Sequence, residues 1–320
     1  MMKRTVNAPT ADDLARARSV IRQYLAPTRT LSMSLGGQQF LVKDETTQPT
    51  GSFKIRGALA ALHAARESGL SSSVLTVSAG NHGLGVALAS SMLSLPATIV
   101  VPRTASVAKV NKLKASGATI VEFGQGFEEA ERYALELAEQ TQATFISPYN
   151  DSNVIAGQAT LVHELLEANP SVARVLVPVG GGGLLAGTIL ATQGTGVEVL
   201  GVQPATNAAM AAALTGVSFV DGPTAADGLA GDLEPGSVTF EIARAAGVEI
   251  VLVSEDAIAR GVVSAQRELG LALEASAAVG LAAISEGFVR ATPTTAVLLT
   301  GRNVSVDVLC DLLRRGSQTQ

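Results

Sequence analysis

The sequence has few of the residues that build disulfides and metal centres. It contains one cysteine, Cys310, and no tryptophan among 320 residues. A single cysteine excludes an internal disulfide and a cysteine-built metal site. The helical spacing of apolar residues in 306–313 predicts a buried structural thiol at Cys310. His63 and His163 lie in helical patterns without a second ligand at metal spacing, so both are interpreted as structural and no metal is expected.

Strong charge and long apolar runs are also missing. The net charge is −5 and the basic residues are scattered, which gives no reason to expect a nucleic-acid partner. No apolar stretch approaches the length that spans a bilayer, so no membrane partner is expected. Residues 1–4 include Lys3 and Arg4 but are not followed by an apolar segment, which argues against a signal peptide. The expected location is the cytoplasm.

What the chain does contain is aliphatic. Hydrophobic residues make up 47% and aromatic residues only 3%, so the core must be built from aliphatic side chains and alanine. Short β-branched runs alternate with helical patterns, which indicates an α/β protein with parallel sheets covered on both faces. No repeat or proline-rich linker appears, so composition does not show a domain boundary. The predicted strands lie at 74–77, 98–101, 119–121, 174–177, 197–200 and 296–299.

Lys54 is the most informative residue. It is the only lysine in 49–58, which apart from Arg56 consists of uncharged, mostly small and apolar residues, and it lies just ahead of a helical pattern at 58–65. A lysine partly stripped of water has a lowered pKa, which leaves part of the amine neutral and able to form a Schiff base with a carbonyl group. For an isolated Ser-x-Lys, a solvated lysine at a helix start would be the better interpretation. Two further segments make the functional interpretation stronger.

Both segments lie between a strand and a helix. Gly180–Gly183 would let backbone N–H groups converge on an anion at a helix N-terminus. The run lacks the spacing of a dinucleotide fingerprint and the Lys-Ser/Thr ending of a nucleoside-triphosphate loop. The segment 78–83, Ser-Ala-Gly-Asn-His-Gly, offers a second anion site suited to a carboxylate. The alternatives are a flexible loop for the glycines and a helix cap for Asn81 and His82.

These segments, together with 154–158 and 226–228, resemble the pyridoxal-phosphate enzymes of the tryptophan-synthase-β superfamily (fold type II). The resemblance covers 41–303, and the serine/threonine dehydratase and serine racemase branch is the most similar. It implies two open parallel-sheet α/β domains with pyridoxal 5'-phosphate in the cleft between them. A large domain would comprise 1–71 and 146–320, with a small domain, 72–145, inserted. A small amino-acid substrate and a homodimer or homotetramer are implied as well.

The resemblance also assigns roles to individual residues, with Lys54 as the catalytic residue that binds the cofactor as a Schiff base. Phe53 and Gly228 would face the two sides of the cofactor ring, the glycines would bind its phosphate, and Thr300 would meet its ring nitrogen. The implied cofactor-binding residues are Phe53, Lys54, Asn81, Gly180, Gly181, Gly182, Gly183, Gly228, Glu274 and Thr300. The implied substrate-binding residues are Ser78, Ala79, Gly80 and His82.

Some positions depart from the family pattern. Ala79 replaces the serine that reprotonates the substrate in serine racemases, which disfavours racemisation. Gln203, Asn207 and Ala209 stand where some relatives have cation-binding carboxylates, so no structural cation is expected. Arg302 replaces a glycine and is unexplained; it is either a solvated residue or one that reaches toward the substrate carboxylate. For Glu274, an ordinary helix-capping acid is the alternative.

The implied activity is dehydration of a β-hydroxy-α-amino acid, L-threonine or L-serine first, to a 2-oxo acid and ammonia. Three alternatives stay open: an amino-acid racemase, a β-replacement synthase of the same fold, and a catalytically silent cofactor-binding protein. The synthase is disfavoured because such enzymes usually carry Thr-Ser-Gly-Asn-Thr-Gly at 78–83.

Overall fold

A computed structural model describes residues 5–69, 71–220 and 222–318. Residues 1–4, on which the expectation of no signal peptide rests, lie outside the described residues. The helices are α1 (Ala11–Tyr24), α2 (Lys54–Ser68), α3 (Asn81–Leu93), α4 (Val107–Lys114), α5 (Phe127–Thr141), α6 (Ser152–Ala168), α7 (Gly183–Thr192), α8 (Ala209–Thr215), α9 (Val238–Ala246), α10 (Glu255–Leu269), α11 (Ala275–Ser285) and α12 (Val306–Gln318). The strands are β1 (Thr30–Leu35), β2 (Gln38–Asp44), β3 (Val74–Val77), β4 (Ala97–Val101), β5 (Thr119–Glu122), β6 (Thr144–Phe145), β7 (Arg174–Pro178), β8 (Glu198–Pro204), β9 (Glu249–Val253) and β10 (Thr295–Leu299).

The strands form two sheets, which confirms the predicted α/β class. A 6-stranded sheet has the order β1-β2-β10-β7-β8-β9, and a 4-stranded sheet has the order β5-β4-β3-β6. All pairings are parallel except that of β1 with β2. The central strand β10 is buried along its whole length, as expected for a strand covered by helices on both faces.

The antiparallel pair β1–β2 was not predicted from the sequence. The two strands are joined by Gly36 and Gly37, both with positive φ, and β1 lies at the sheet edge. Its residues are mostly half-buried or exposed, so it lacks the continuous apolar run that marked the other strands. The strands from β3 to β6 all belong to the smaller sheet. The proposed division into domains at 72–145 stays a prediction.

Helix α2, which begins with Lys54, packs closely against α3 and α6. A Cβ atom on Gly157 of α6 would lie 2.6 Å from the Arg56 carbonyl oxygen and from the Gly57 Cα of α2. A Cβ atom on Gly85 of α3 would lie 3.1 Å from the Lys54 carbonyl group. The start of α2 is therefore pressed between α3 and α6, and glycine permits both approaches.

The prediction for Cys310 was wrong. Its side chain is exposed on α12, while Leu312 of the same helix is buried against the core. Leu309 and Leu313 also pack on that core, and their spacing from Leu312 places the buried stripe away from Cys310. Among the described residues, no helix combines the length and apolarity that a membrane crossing requires.

Candidate active site

Lys54 lies at the first position of α2, beside the carboxyl end of β10. The loop before it runs along the end of that strand, since the Phe53 N–H donates to the Thr300 carbonyl oxygen at 3.0 Å. The Lys54 Nζ donates to the Pro148 carbonyl oxygen at 2.9 Å and lies 5.3 Å from the centre of the Phe53 ring. Three of the predicted cofactor residues, Phe53, Lys54 and Thr300, thus lie together.

The environment of Lys54 favours a neutral amine. Burial lowers the pKa of Lys54 to about 8, against an ordinary value of 10.5, and the negative charge of Glu274 opposes this shift. The sequence predicted that Lys54 is partly stripped of water, and the structure buries its side chain as predicted. A substantial fraction of the amine is nucleophilic near neutral pH.

The glycine run follows β7 and leads into α7. Gly182 has φ +86° and is the N-cap of this helix, and no described side chain caps it. A Cβ atom on Gly181 would lie 2.5 Å from the Tyr149 ring, so only glycine fits there. The first N–H groups of α7 have no partner within the helix. The run therefore offers backbone donors and a helix dipole to an anion such as a phosphate.

Gly228 lies beside this run. A Cβ atom on Gly180 would lie 3.4 Å from the Gly228 carbonyl oxygen, and the Gly228 N–H donates to the Ser276 Oγ at 3.0 Å. The turn Asp227–Leu229 is thereby attached to α11, which holds Ser276. The assignment of Gly228 to one face of a bound ring stays a prediction.

The second predicted anion site lies between β3 and α3. The Gly80 N–H donates to the Ser78 Oγ at 3.1 Å, which shapes the turn before the helix. Within the described residues, Gly80 is the N-cap of α3 without a side-chain cap, so the helix start presents backbone donors. Ser78 and Ala79 are half-buried beside this turn.

His82 is buried in the first turn of α3. Burial lowers its pKa to about 3, and the positive charge of Lys54 lowers it further, while the Ile146 backbone opposes the shift. That backbone approaches the ring without meeting hydrogen-bond geometry, and neither ring nitrogen is paired within the described part of the chain. His82 is therefore neutral at physiological pH and does not act as a cation toward a carboxylate.

Asn81 connects the small sheet to the large one. Its Nδ2 donates to the Glu274 Oε1 at 2.8 Å, and its Oδ1 accepts from the Asn303 Nδ2 at 2.6 Å. The Lys112 Nζ donates to the Asn303 Oδ1 at 2.6 Å. A chain of hydrogen bonds thus runs from α4 through Asn303 and Asn81 to Glu274. The predicted contact of Asn81 with a cofactor oxygen stays a prediction.

Glu274 is not a capping acid. It precedes α11, but its carboxylate caps no N–H of that helix among the described residues, and it points to Asn81 instead. Burial raises the pKa of Glu274 to about 7, and the negative charge of Asp227 adds to this effect. The hydrogen bond from Asn81 and the positive charge of Lys109 oppose the rise. Glu274 is therefore mixed in protonation near neutral pH.

Several residues near the site were missed in the sequence. Pro148 accepts from Lys54, and Tyr149 packs on the glycine run while its Oη accepts from the Glu234 N–H at 2.9 Å. Both follow β6, so their place at the carboxyl end of a parallel strand was the available signal. Lys109 of α4 also forms an ion pair with Asp227 across the two sheets.

The structure does not assign a role to Arg302. It is exposed and, with Lys112, lines a cavity of about 530 Å³ between α3, α4 and the loop after β10. Asn303 and Thr50 line the same cavity. The structure therefore places Arg302 beside a second cation rather than in contact with Lys54.

The residues fit a flat aldehyde that carries a phosphate. Lys54 could supply an amine for the aldehyde, and the glycine run could supply N–H groups for the phosphate. Two buried polar groups near Lys54 have no hydrogen-bond partner among the described residues. One is the Ser52 Oγ, two residues before Lys54, and the other is the His82 ring, which is close enough to feel the charge of Lys54. Unpaired buried polar groups are costly unless a ligand or water meets them. The fold and this site define a pyridoxal-phosphate enzyme of fold type II.

Comparison with known proteins places the chain in a family. Residues 20–301 match the family of pyridoxal-phosphate dependent enzymes, and the chain belongs to it. It is 38% identical over 317 residues to an L-threonine ammonia-lyase of Thermotoga maritima, covering 96% of this chain and 79% of that protein. It is 33% identical to a serine racemase of Oryza sativa subsp. indica, covering 94% and 92%. The maize serine racemase structure matches with TM-score 0.87 and 29% identity, covering 98% of this chain and 99% of the other.

The absence of cation-binding carboxylates leads to a first prediction. The Gln203 Oε1 accepts from the Ala211 N–H at 2.9 Å, and Asn207 donates to the Gly222 carbonyl oxygen. A protein donor thus already occupies the Gln203 oxygen, the Asn207 amide is bound to a backbone carbonyl oxygen, and the Ala209 side chain offers no oxygen. Excess EDTA should leave the melting temperature and turnover unchanged. A fall of several degrees with EDTA that magnesium or calcium reverses would contradict this.

The raised pKa of Glu274 leads to a second prediction. Between the ordinary value of 4.5 and about 7, the folded protein keeps a proton that the unfolded chain has lost. The contribution of Glu274 to stability should therefore fall as pH rises through this window, by at most about 3 kcal/mol. The lowered pKa of His82 makes stability rise with pH below 6.5, so the fall is measured as the difference between the wild type and Glu274→Gln. Glu274→Gln should remove this fall. Urea unfolding of the cofactor-free protein between pH 4 and 8 would measure it (a buffer range chosen to bracket about 4.5 to 7).

A matched variant controls for general charge effects. Glu241→Gln removes an exposed carboxylate on α9 that pairs with Arg244. Its stability should follow the wild-type pH dependence. If Glu274→Gln also follows the wild type, Glu274 is not the group that keeps the proton.

Proposed function

We propose that the protein is a pyridoxal-phosphate-dependent ammonia-lyase that converts a β-hydroxy-α-amino acid, L-threonine or L-serine first, to a 2-oxo acid and ammonia. The observation that carries this proposal is the buried Lys54, whose lowered pKa of about 8 makes it both nucleophile and base. Relatives named L-threonine ammonia-lyase at 37 and 38% identity over most of the chain support the substrate class.

The cofactor, when bound, withdraws electrons from the substrate Cα and so makes its proton acidic. Lys54 acts first as the residue that holds the cofactor covalently. Once the substrate amine has replaced it, the free Nζ removes the Cα proton as general base. Its pKa of about 8 suits this task, because an amine near the working pH is available in the neutral form.

The start of α3 binds the substrate carboxylate in this proposal. Its backbone N–H groups and the Ser78 hydroxyl supply donors, and the helix dipole favours a negative charge. His82 contributes as a neutral group, consistent with its pKa of about 3. Open space faces Gly80, since a Cβ atom there would meet nothing within 4 Å.

The β-hydroxyl leaves with a proton, which the protonated Lys54 Nζ would supply; the glycine run would hold the cofactor phosphate as a second acid. The Cα proton and the hydroxyl depart as water, and a later hydrolysis consumes one water and releases ammonia. The sum is conversion of L-threonine to 2-oxobutanoate and ammonia. Thr300, at 3% exposure beyond β10, would meet the cofactor ring nitrogen with a hydroxyl. A hydroxyl protonates that nitrogen less than an acid would, which favours elimination over a long-lived carbanion.

The rival functions differ in what they require. A racemase needs an acid on the face opposite Lys54, and Ala79 has no proton to give. A silent binding protein has no use for a lysine that is poised to lose its proton. The expected cytoplasmic location and homodimeric or homotetrameric assembly also stay predictions, which fractionation and light scattering would test.

Lys54→Ala should abolish both the visible absorbance of lysine-bound cofactor and turnover while the fold is retained. The reason is that Lys54 is the buried lysine beside Phe53 and the end of β10, and burial lowers its pKa to about 8. Circular dichroism in the far ultraviolet would check the fold. Lys114→Ala, which removes an exposed lysine on α4 that pairs with Glu122, serves as control and should keep the visible band. Wild-type turnover in Lys54→Ala would overturn the mechanism.

Ala79→Ser should raise the ratio of racemisation to elimination. It adds a hydroxyl at the position where serine racemases reprotonate Cα, while Lys54 and the leaving group are unchanged. Chiral chromatography of L-serine incubations, with 2-oxo acid measured in parallel, would give the ratio. The wild type should give 2-oxo acid and negligible D-serine. Substantial D-serine from the wild type would mean that the protein is a racemase.

A further inference from the structure

Four charged side chains are buried behind the start of α2, and the chemistry proposed above uses none of them. They are Lys43, Glu45, Arg56 and Glu164, with side-chain exposures of 1%, 0%, 0% and 11%. They come from β2, the turn after it, α2 and α6, and their charges sum to zero. Burying charges is costly even when they are paired, so a cluster of this size calls for a specific explanation.

Arg56 is the centre of this buried cluster. Its Nε and Nη2 donate to the two oxygens of Glu45, both at 2.8 Å. Its Nη1 and Nη2 donate to the two oxygens of Glu164 at 2.6 and 2.8 Å. The remaining Nη1 hydrogen goes to the Thr160 Oγ1 at 3.2 Å. All five guanidinium donors are used, and a planar fork with two bidentate partners permits one orientation only.

The protonation states agree with this arrangement. Burial disfavours the charge on Arg56, but the charges and hydrogen bonds of Glu45 and Glu164 outweigh it and raise the pKa of Arg56. Burial likewise opposes ionisation of Glu45, and Arg56 outweighs it and lowers the pKa of Glu45. Lys43 completes the cluster, donating to the Glu164 Oε2 at 3.0 Å.

The cluster controls the first turn of α2, where Lys54 lies. Phe53 occupies the N-cap position of α2, and no hydrogen bond to a side chain caps the helix among the described residues. Arg56 is the third residue of the helix, and its side chain connects this first turn to Glu45 and Glu164. The close approaches of Gly85 and Gly157 prevent the turn from moving sideways, and the Arg56 fork resists rotation and sliding.

We propose that Arg56 is a positioning residue for Lys54. Its fork to Glu45 and Glu164 sets the rotation of the first turn of α2, so that the Lys54 Nζ reaches the cleft beside the Pro148 carbonyl oxygen. The proposal rests on the role of Lys54 as the residue that holds the cofactor. A substitution in the cluster should therefore change how the cofactor is held, beyond any change in stability.

Arg56→Lys tests this directly, because it keeps the charge and loses the fork. The readouts on the holoenzyme are the visible circular dichroism per bound cofactor and the dissociation constant for pyridoxal phosphate. The variant should lose at least about half of the visible ellipticity, and its dissociation constant should rise on the order of tenfold. Glu164→Gln removes one partner charge with little change of shape and should show the same direction of change more weakly.

Leu312→Ala is the matched control. It opens a cavity under α12, away from α2, and should lower the melting temperature without altering either cofactor readout. Normal ellipticity and affinity in Arg56→Lys, with only a lower melting temperature, would overturn the proposal. If Arg56→Lys does not fold, wild-type values in Glu164→Gln overturn it. A visible band retained in Lys54→Ala would instead refute the attachment role, so the two failures are distinguishable.

Discussion

The site depends on burying one lysine amine without giving it a fixed counter-ion. Burial alone would lower the pKa of Lys54, and the charge of Glu274 is the only opposing influence of note. The nearest hydrogen-bond partner is a neutral carbonyl oxygen, that of Pro148. A carboxylate in that place would have held the amine protonated and unreactive. A backbone carbonyl oxygen, rather than a charged side chain, therefore orients the amine. Charged side chains lie further from it.

Those positions show how the two sheets act together. Asn81, the first residue of α3, accepts a hydrogen bond from Asn303 and donates one to Glu274. Both partners lie on the large-sheet side of the cleft. Lys109 and Lys112, on α4, reach Asp227 and Asn303 across the same gap. Any change in the distance between the sheets must alter these contacts. Asp227 raises the pKa of Glu274 and Lys109 lowers it, so the two members of this ion pair act on Glu274 in opposite directions.

Much of this could be predicted from the sequence where the signal is local. Lys54, the glycine run and the segment 78–83 each lie at a strand–helix junction, and such junctions follow from hydrophobic patterns along the chain. The partner of Asn81 could not be predicted, since Glu274 is far away in sequence and its contact depends on how two sheets meet. Cys310 was misjudged because apolar spacing on α12 does not say which stripe faces the core. Edge strand β1 was missed because it lacks a continuous apolar run.

Arg56 and Lys54 are two buried cations in the first turn of α2, and the fold pairs them in opposite ways. Arg56 is fully paired, so its charge is fixed and its geometry rigid. Lys54 is left with one neutral acceptor, so its charge can change. In the roles proposed above, the first turn of α2 combines a permanent cation as anchor with a switchable one as reagent. Had the lysine been paired as the arginine is, the proton transfer that the chemistry needs would have been lost. Had the arginine been as unpaired as the lysine, the cost of burying its charge would have been left uncompensated.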